Sequence, residues 1–268
     1  MAGSFSPHTG SQYIYSDRAD VTYKRLTRTI DLTGVSAGAN PELSFWTSYD
    51  TEPDWDFLFV EAHTVGQDDW TTLPDANGHT SQNVGDPAVG NSCSSGWHTD
   101  PVNEIHPFLA HYQTWNGPDA ACDPVGTTGD WNAASGRSDG WEQWSIDLSP
   151  YAGSQVEVSI SYVSDWAFQG IGSFVDDVTV STEAGTESFE TGFGAWTVAG
   201  PPPGTQINAN DWTRTTDVGF EEGAVVALAP ADAEFRTVYF GFGFEGVTSA
   251  DERNALMGRA IDYLLSAP

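Results

Sequence analysis

The stretch VEVSISYV, Val156 to Val163, decides how this chain folds. Val156, Val158, Ile160 and Tyr162 alternate with Glu157, Ser159 and Ser161. That period of two is the pattern of a half-buried strand, one face on a core and the other toward solvent. Outward from it, LSFWTSY (Leu43 to Tyr49) and FLFVEAH (Phe57 to His63) read as strands covered on both sides. SFVDDVTV, Ser173 to Val180, reads as another strand. Gly (28) and Pro (15) are spread between such segments as turn signals, and no convincing helix signal precedes residue 248. The expected fold is mainly β: an antiparallel jelly-roll β-sandwich.

A weak internal echo supports two halves. Asp31-Leu32 leads through a strand to Asp50 and then to Phe59-Val60-Glu61. Asp147-Leu148 leads through a strand to Asp165 and then to Phe174-Val175-Asp176. The spacings are 19 and 18 residues. Residues 1–182 are therefore expected to form the sandwich, interrupted by an insertion at 73–139 rich in Gly, Asn, Asp, Trp and His. Loops that long are usually functional or mobile. Residues 183–268 read as an extension of β segments ending in one helix, 249–265. Ser249 and Glu252 make its capping box, and Leu256, Ala260, Ile261, Leu264 and Leu265 its apolar stripe, expected to pack on the sandwich.

Charge is lopsided: 38 acidic residues against 9 basic, net −29, with Lys24 the single lysine. Such a surface repels phosphate backbones and anionic lipids, which argues against nucleic-acid and membrane-surface partners. No apolar run is long enough to span a bilayer. Met1-Ala2-Gly3-Ser4 has no signal-peptide character, so the expectation is a mature fragment of a secreted protein. Acidity of this kind also serves solubility or salt adaptation, and that reading stands beside any local one.

Locally, DTEPDWDFLFVEAH (50–63) sets Asp50, Glu52, Asp54, Asp56 and Glu61 against an apolar run. From Thr29 to Thr213 the only Lys or Arg is Arg137. Crowded carboxylates beside a core strand must repel, protonate or find a cation. Hard oxygen donors without thiolate or imidazole suit Ca²⁺. The candidate ligands are Glu52, Asp54, Asp56, Asp165 and Asp176. Asp54 joins Glu52 and Asp56 on one side if the loop is extended. Asp176 alternates with Phe174, Val178 and Val180 and so reads as pointing toward the core. The alternative is a solvated acidic loop, with Asp176 hydrogen-bonded to turn amides.

Other chemistry is sparse. None of the six histidines begins an H-x-x-E or H-E-x-x-H pattern, so no zinc site is expected. His98, His106 and His111, beside Asp100 and Glu104, are either a metal site or solvated loop histidines. Of the 11 tryptophans, Trp46, Trp55, Trp144 and Trp166 lie in or beside strands and read as core. Trp97, Trp115 and Trp131, on the insertion, are the candidate ligand-binding aromatics. Cys93 and Cys122 are expected to form a disulfide worth roughly 3–4 kcal/mol, against the alternative of two buried thiols.

LSFWTSYDTEPDWDFLFVEAHTVGQDDWTTL and WSIDLSPYAGSQVEVSISYVSDWAFQGIGSFVDDVTV together resemble the non-catalytic β-domain of immune inhibitor A metallopeptidases, a relative of MAM-type jelly rolls. CDPVGTTGDWNAASG, FETGFGAWTVAGPPPG and VYFGFGFEGV resemble the C-terminal region of secreted actinobacterial zinc carboxypeptidases. The resemblance covers nearly the whole chain. It implies a non-catalytic accessory region whose partner is the catalytic peptidase domain of a parent chain. Glu52, Asp56 and Asp165 resemble the acidic ligands of calcium-binding CUB-type sandwiches, and Asp176 the late aspartate of calcium-stabilised jelly rolls. The competing expectations are a carbohydrate- or cell-surface-binding module with a protein or glycan ligand and, weakest, a hydrolase using paired carboxylates.

Overall fold

A computed structural model describes residues 6–85, 105–117, 121–166, 168–216, 225–228, 237–240, 254, 257, 258, 260 and 261. The chain divides into two compact units, Met1–Asp217 and Val218–Pro268. Among its described residues the first holds ten strands: β1 Tyr13–Tyr15, β2 Thr22–Asp31, β3 Glu42–Asp50, β4 Phe57–Thr64, β5 Thr71–Leu73, β6 Glu142–Asp147, β7 Gln155–Ser164, β8 Gly172–Val180, β9 Thr197–Val198 and β10 Thr213–Thr215. They form two five-stranded antiparallel sheets, ordered β10-β1-β8-β3-β6 and β5-β4-β7-β2-β9. In the second unit, β11 (Val225–Leu228) pairs antiparallel with β12 (Thr237–Phe240). Asn254, Met257, Gly258, Ala260 and Ile261 are helical, and the remainder of the helix expected at 249–265 lies outside the described residues.

β7 sits at the centre of its sheet, with β2 paired along its whole length (Thr22↔Ser164 to Asp31↔Gln155) and β4 on the other side. Its alternating face does what the pattern predicts. Val156, Val158, Ile160 and Tyr162 are buried with Leu26, Ile30, Leu58 and Val60, and join Leu43, Phe45, Trp144, Ile146 and Val175 of the other sheet in one core. Each such side chain contributes about 1.5–3 kcal/mol by leaving water.

The opposite face departs from the half-buried expectation, because Ser159 and Ser161 are also fully buried. The insertion covers them. Ile105, Leu109, Tyr112, Trp131 and Ala133 pack on Tyr23, Phe57, Phe59 and Val163 as a second apolar cluster. Backbone bonds tie the insertion down: Leu58 and Ala134 exchange N–H···O contacts at 2.9 and 2.8 Å, as do Ser81 and Ala133, both at 2.9 Å. Gly126 fits there only as glycine, since a Cβ would lie 2.3 Å from the backbone of His111 and Tyr112. Under this layer the Glu61 carboxylate accepts hydrogen bonds from Tyr23 Oη (2.6 Å), Tyr112 Oη (2.7 Å) and Ser161 Oγ (2.9 Å). Burial raises its pKa, and the Arg25 charge and the three hydroxyls oppose that rise.

The expected boundary at 182 gives way to one at 217, because β9 and β10 complete the sandwich. β9 pairs with β2 (Leu26↔Val198) and β10 with β1 (Ile14↔Arg214). These strands are two and three residues long, too short to show a period in sequence. Cys122 is buried, while Cys93, its expected partner, lies outside the described residues.

Glu61→Ala should cost about 2–4 kcal/mol in urea unfolding, since it strands three buried hydroxyls. Glu61→Gln, which keeps an acceptor, should cost clearly less. Equal losses would show that the hydroxyl network is not what Glu61 contributes.

Candidate metal centre

Residues 51–56 join β3 to β4, and their path is a compact turn rather than an extended loop. Trp55 N–H and Asp56 N–H both donate to Glu52 O, at 3.2 and 3.0 Å. Thr51 N–H is held by Gly136 O at 2.7 Å, and Asp54 N–H by Ser135 Oγ at 2.8 Å. A turn of this kind puts residues i and i+4 on one side, so Glu52 and Asp56 face the same way. The loop after β7 meets them. Ile171 N–H donates to Asp50 O at 2.8 Å, and Gly170 (φ +56°) passes so close that a Cβ would be 2.4 Å from that oxygen. Val21 N–H anchors Asp165 through its carbonyl at 2.5 Å.

The result is a three-carboxylate group. Glu52, Asp56 and Asp165 each present an oxygen within 4.8 Å of the others. Asp56 and Asp165 are buried and Glu52 is half-buried. Asp56 accepts from Asp165 N–H (3.2 Å) and Tyr162 Oη (3.1 Å). Burial pushes its pKa up to about 8, against the pull of those hydrogen bonds. Burial and the Asp165 charge also raise Glu52. Two oxygens binding one Ca²⁺ at about 2.3–2.6 Å lie at most about 5 Å apart. The spacing, the all-oxygen donor set and the cost of leaving these charges together therefore fit a calcium ion.

Two expected ligands stand elsewhere. Asp54 has a left-handed backbone (φ +67°) and turns away, its carboxylate taking a hydrogen bond from Asn83 Nδ2 at 2.6 Å. Asp176 is displaced by a β-bulge: Ser44↔Thr179 and Trp46↔Asp176 leave one extra residue on β8, and Asp177 adopts φ +47°. The bulge breaks the alternation, so Val175, Val178 and Val180 face the core while Asp176 does not. Asp176 instead accepts three backbone N–H groups: His8 (3.0 Å), Thr9 (3.1 Å) and Asp177 (2.8 Å). Its pKa rises to about 6, with burial outweighing those bonds.

The aromatic expectations also shift. Trp131 is 0% exposed and belongs to the core under the insertion; Trp115 is half-buried, and Trp97 lies outside the described residues. Trp144 is core, but Trp46 and Trp55 are half-buried. Trp166 is 44% exposed and Phe168, at φ +63°, is 83% exposed, both in the loop that carries Asp165. His106 is buried, Nε2 bonded to Ser164 O at 2.9 Å, and no described histidine joins the carboxylate group. His98, Asp100 and Glu104 lie outside the described residues. Lys24 is engaged apart from the group: Nζ donates to Ser16 O (2.7 Å), Asp17 O (3.2 Å) and Asn210 Oδ1 (2.5 Å). Sequence reasoning missed it, although a lone lysine inside a strand was a visible signal. No described helix is long and apolar enough to cross a membrane. No family model matches the chain, and no curated protein matches it.

The raised Asp56 pKa sets a sign. In chelator, the folded state holds the Asp56 proton more tightly than the unfolded chain. Its contribution is therefore intact below the ordinary value of 3.8 and is lost as pH rises to about 8. Urea unfolding at about pH 5 and about pH 8 should show the metal-free protein weaker at the higher value by several kcal/mol. Asp56→Asn should flatten that slope, and an unchanged slope would reassign it to other groups.

Proposed function

We propose that this chain is a non-catalytic accessory region of a secreted zinc carboxypeptidase, a jelly-roll sandwich stabilised by Ca²⁺ at Glu52, Asp56 and Asp165. The observation that carries the calcium reading is the meeting of these three carboxylates from two separate loops. An ion there would pin the β3–β4 loop to the β7–β8 loop and offset the repulsion among the converging carboxylates. The strand orders β1-β8-β3-β6 and β5-β4-β7-β2 support the jelly-roll reading. In that order consecutive strands alternate between sheets except at the β4–β5 hairpin. The accessory role rests on the resemblance of the strand motifs and on the lack of zinc-peptidase patterns in the sequence. The same reading includes the Cys93–Cys122 disulfide and a C-terminal helix over 249–265.

One observation favours a second reading, a glycan-binding surface. Trp166 and Phe168 stand exposed beside Asp165, where an indole could stack on a sugar ring. A glycan array in calcium and in chelator separates the two: binding there makes the ion part of a ligand site, and silence leaves it a structural one.

Thermal melting in millimolar Ca²⁺ against EGTA tests the calcium reading directly. The ion should add about 2.7 kcal/mol at a hundredfold excess over Kd. Asp165→Asn should remove most of that gain, and Asp176→Asn should keep it. An unchanged midpoint with no bound metal by elemental analysis would leave a solvated acidic cluster.

A further inference from the structure

The segment Ser6–Gln12 lies before β1 and is held by side chains rather than by a strand ladder. Trp141 Nε1 donates to Ser6 O at 3.0 Å. His8 and Thr9 give their backbone N–H groups to Asp176 Oδ2 at 3.0 and 3.1 Å. The His8 ring donates Nδ1–H to Asp177 Oδ2 at 2.6 Å, and Thr9 Oγ1 donates to Asp177 Oδ1 at 2.7 Å. Glu190 takes the N–H groups of Ser11 (2.8 Å) and Gln12 (2.9 Å) and the Ser11 hydroxyl (2.9 Å). The His8 ring stacks on Trp46 at 4.0 Å and 15°, with Trp141 edge-on at 5.8 Å.

These features are those of a recognition site. Two carboxylates, Asp176 and Glu190, each read a pair of adjacent backbone N–H groups of an irregular segment, Asp177 takes a ring N–H and a hydroxyl, and an aromatic slot takes the imidazole. Trp46 and Asp176 are register partners on neighbouring strands, so the slot and the central carboxylate sit on one rigid piece of sheet. Gly10 (φ +64°) is where the occupant is most constrained: a Cβ would lie 2.2 Å from Glu190 Oε1. The sheet itself does not need the segment. Its pairing begins at Tyr13, with Tyr13↔Thr215 on one side and Ile14↔Val175 on the other. Segments held by side-chain contacts rather than by a strand ladder are among the parts of a fold that open locally most readily.

We propose that Asp176, Asp177, Glu190, Trp46 and Trp141 form a peptide-binding site on the outer face of this sheet, filled by residues 6–12 of the same chain as a detachable strap. The ligand class is an extended, Gly-containing peptide that carries an imidazole flanked by free backbone N–H groups. When the strap leaves, an acidic and aromatic groove opens to such a segment supplied in trans.

The test uses full-length protein and a fluorescent, end-blocked peptide of sequence SPHTGSQ. Gly10→Ala and His8→Ala each lift the strap by a different route, one by a clash and one by removing the stacked ring. Both variants should keep the wild-type circular dichroism spectrum and cooperative unfolding. Both should bind the peptide saturably, roughly tenfold or more tighter than wild type, whose tethered strap competes at millimolar effective concentration. A peptide with Ala in place of His, and Asp177→Asn in either variant background, should each abolish binding. Asn tolerates the left-handed backbone at that position, so this change spares the bulge. The proposal is overturned by failure of both variants to bind, by equal binding to wild type and variants, or by binding that survives Asp177→Asn. Loss of cooperative unfolding in both variants would also overturn it, since the segment would then be an integral part of the fold.

Discussion

Two-sided burial of β4 and β7 is the constraint on which the rest of the structure depends. One face of these strands closes the sandwich, and the other would expose Phe57, Phe59 and Val163 without a cover. The insertion supplies that cover, which is why a segment of loop-like composition contains buried Leu109, Tyr112 and Trp131. The cover also shapes the carboxylate group. Ser135 and Gly136, at the end of the insertion, bind Asp54 N–H and Thr51 N–H and so fix the turn that aims Glu52 and Asp56. Packing on the outer face of the sheet thus sets the geometry of the loop at its end.

A chain this short of cations must satisfy buried acids by other means, and each described case does so differently. Glu61 takes three hydroxyls, with the Arg25 charge in support. Asp75 takes Ser145 N–H at 2.6 Å and both the N–H and the ring of His79, at 3.1 and 2.7 Å. Lys24, the one lysine, spends its ammonium on carbonyl oxygens and an amide, and burial lowers its pKa to about 8. Among the described residues, Glu52, Asp56 and Asp165 are the one group that converges with metal-ligand spacing.

The sandwich was legible because period-two burial is a local property: Val156, Val158, Ile160 and Tyr162 could be read from eight residues. The approach of loop 50–56 to Asp165 was legible through the internal echo of β3–β4 in β7–β8, whose strands pair as β3 with β8 and β4 with β7. What escaped is non-local or one residue wide. The bulge at Asp177 shifts the phase of β8 by one position, and nothing in V-D-D-V tells which aspartate is the extra one. Trp131 and Trp166 exchanged roles because composition cannot tell a loop that folds back on a sheet from one that projects. Ser159 and Ser161 looked solvent-facing for the same reason, as small polar residues suit a buried surface when a carboxylate and hydroxyls line it.

Asp56 and Asp176 show why one carboxylate calls for a cation and the other does not. Each lies in a strand-end or bulge setting, and among the described residues no Lys or Arg is hydrogen-bonded to it. Asp176 receives three backbone N–H donors, and its pKa settles near 6. Asp56 is more deeply desolvated, is eased by Asp165 N–H and Tyr162 Oη and more weakly by Glu52 N–H, has Asp165 as a like charge, and is pushed up to about 8. Amides can stand in for a cation when enough of them converge, as they do at anion-binding turns. At Asp176 the strap supplies two of the three, so removing it would leave that carboxylate in the condition Asp56 is already in. The two sites then pose the same electrostatic problem, and chain geometry decides whether a peptide or an ion is the answer.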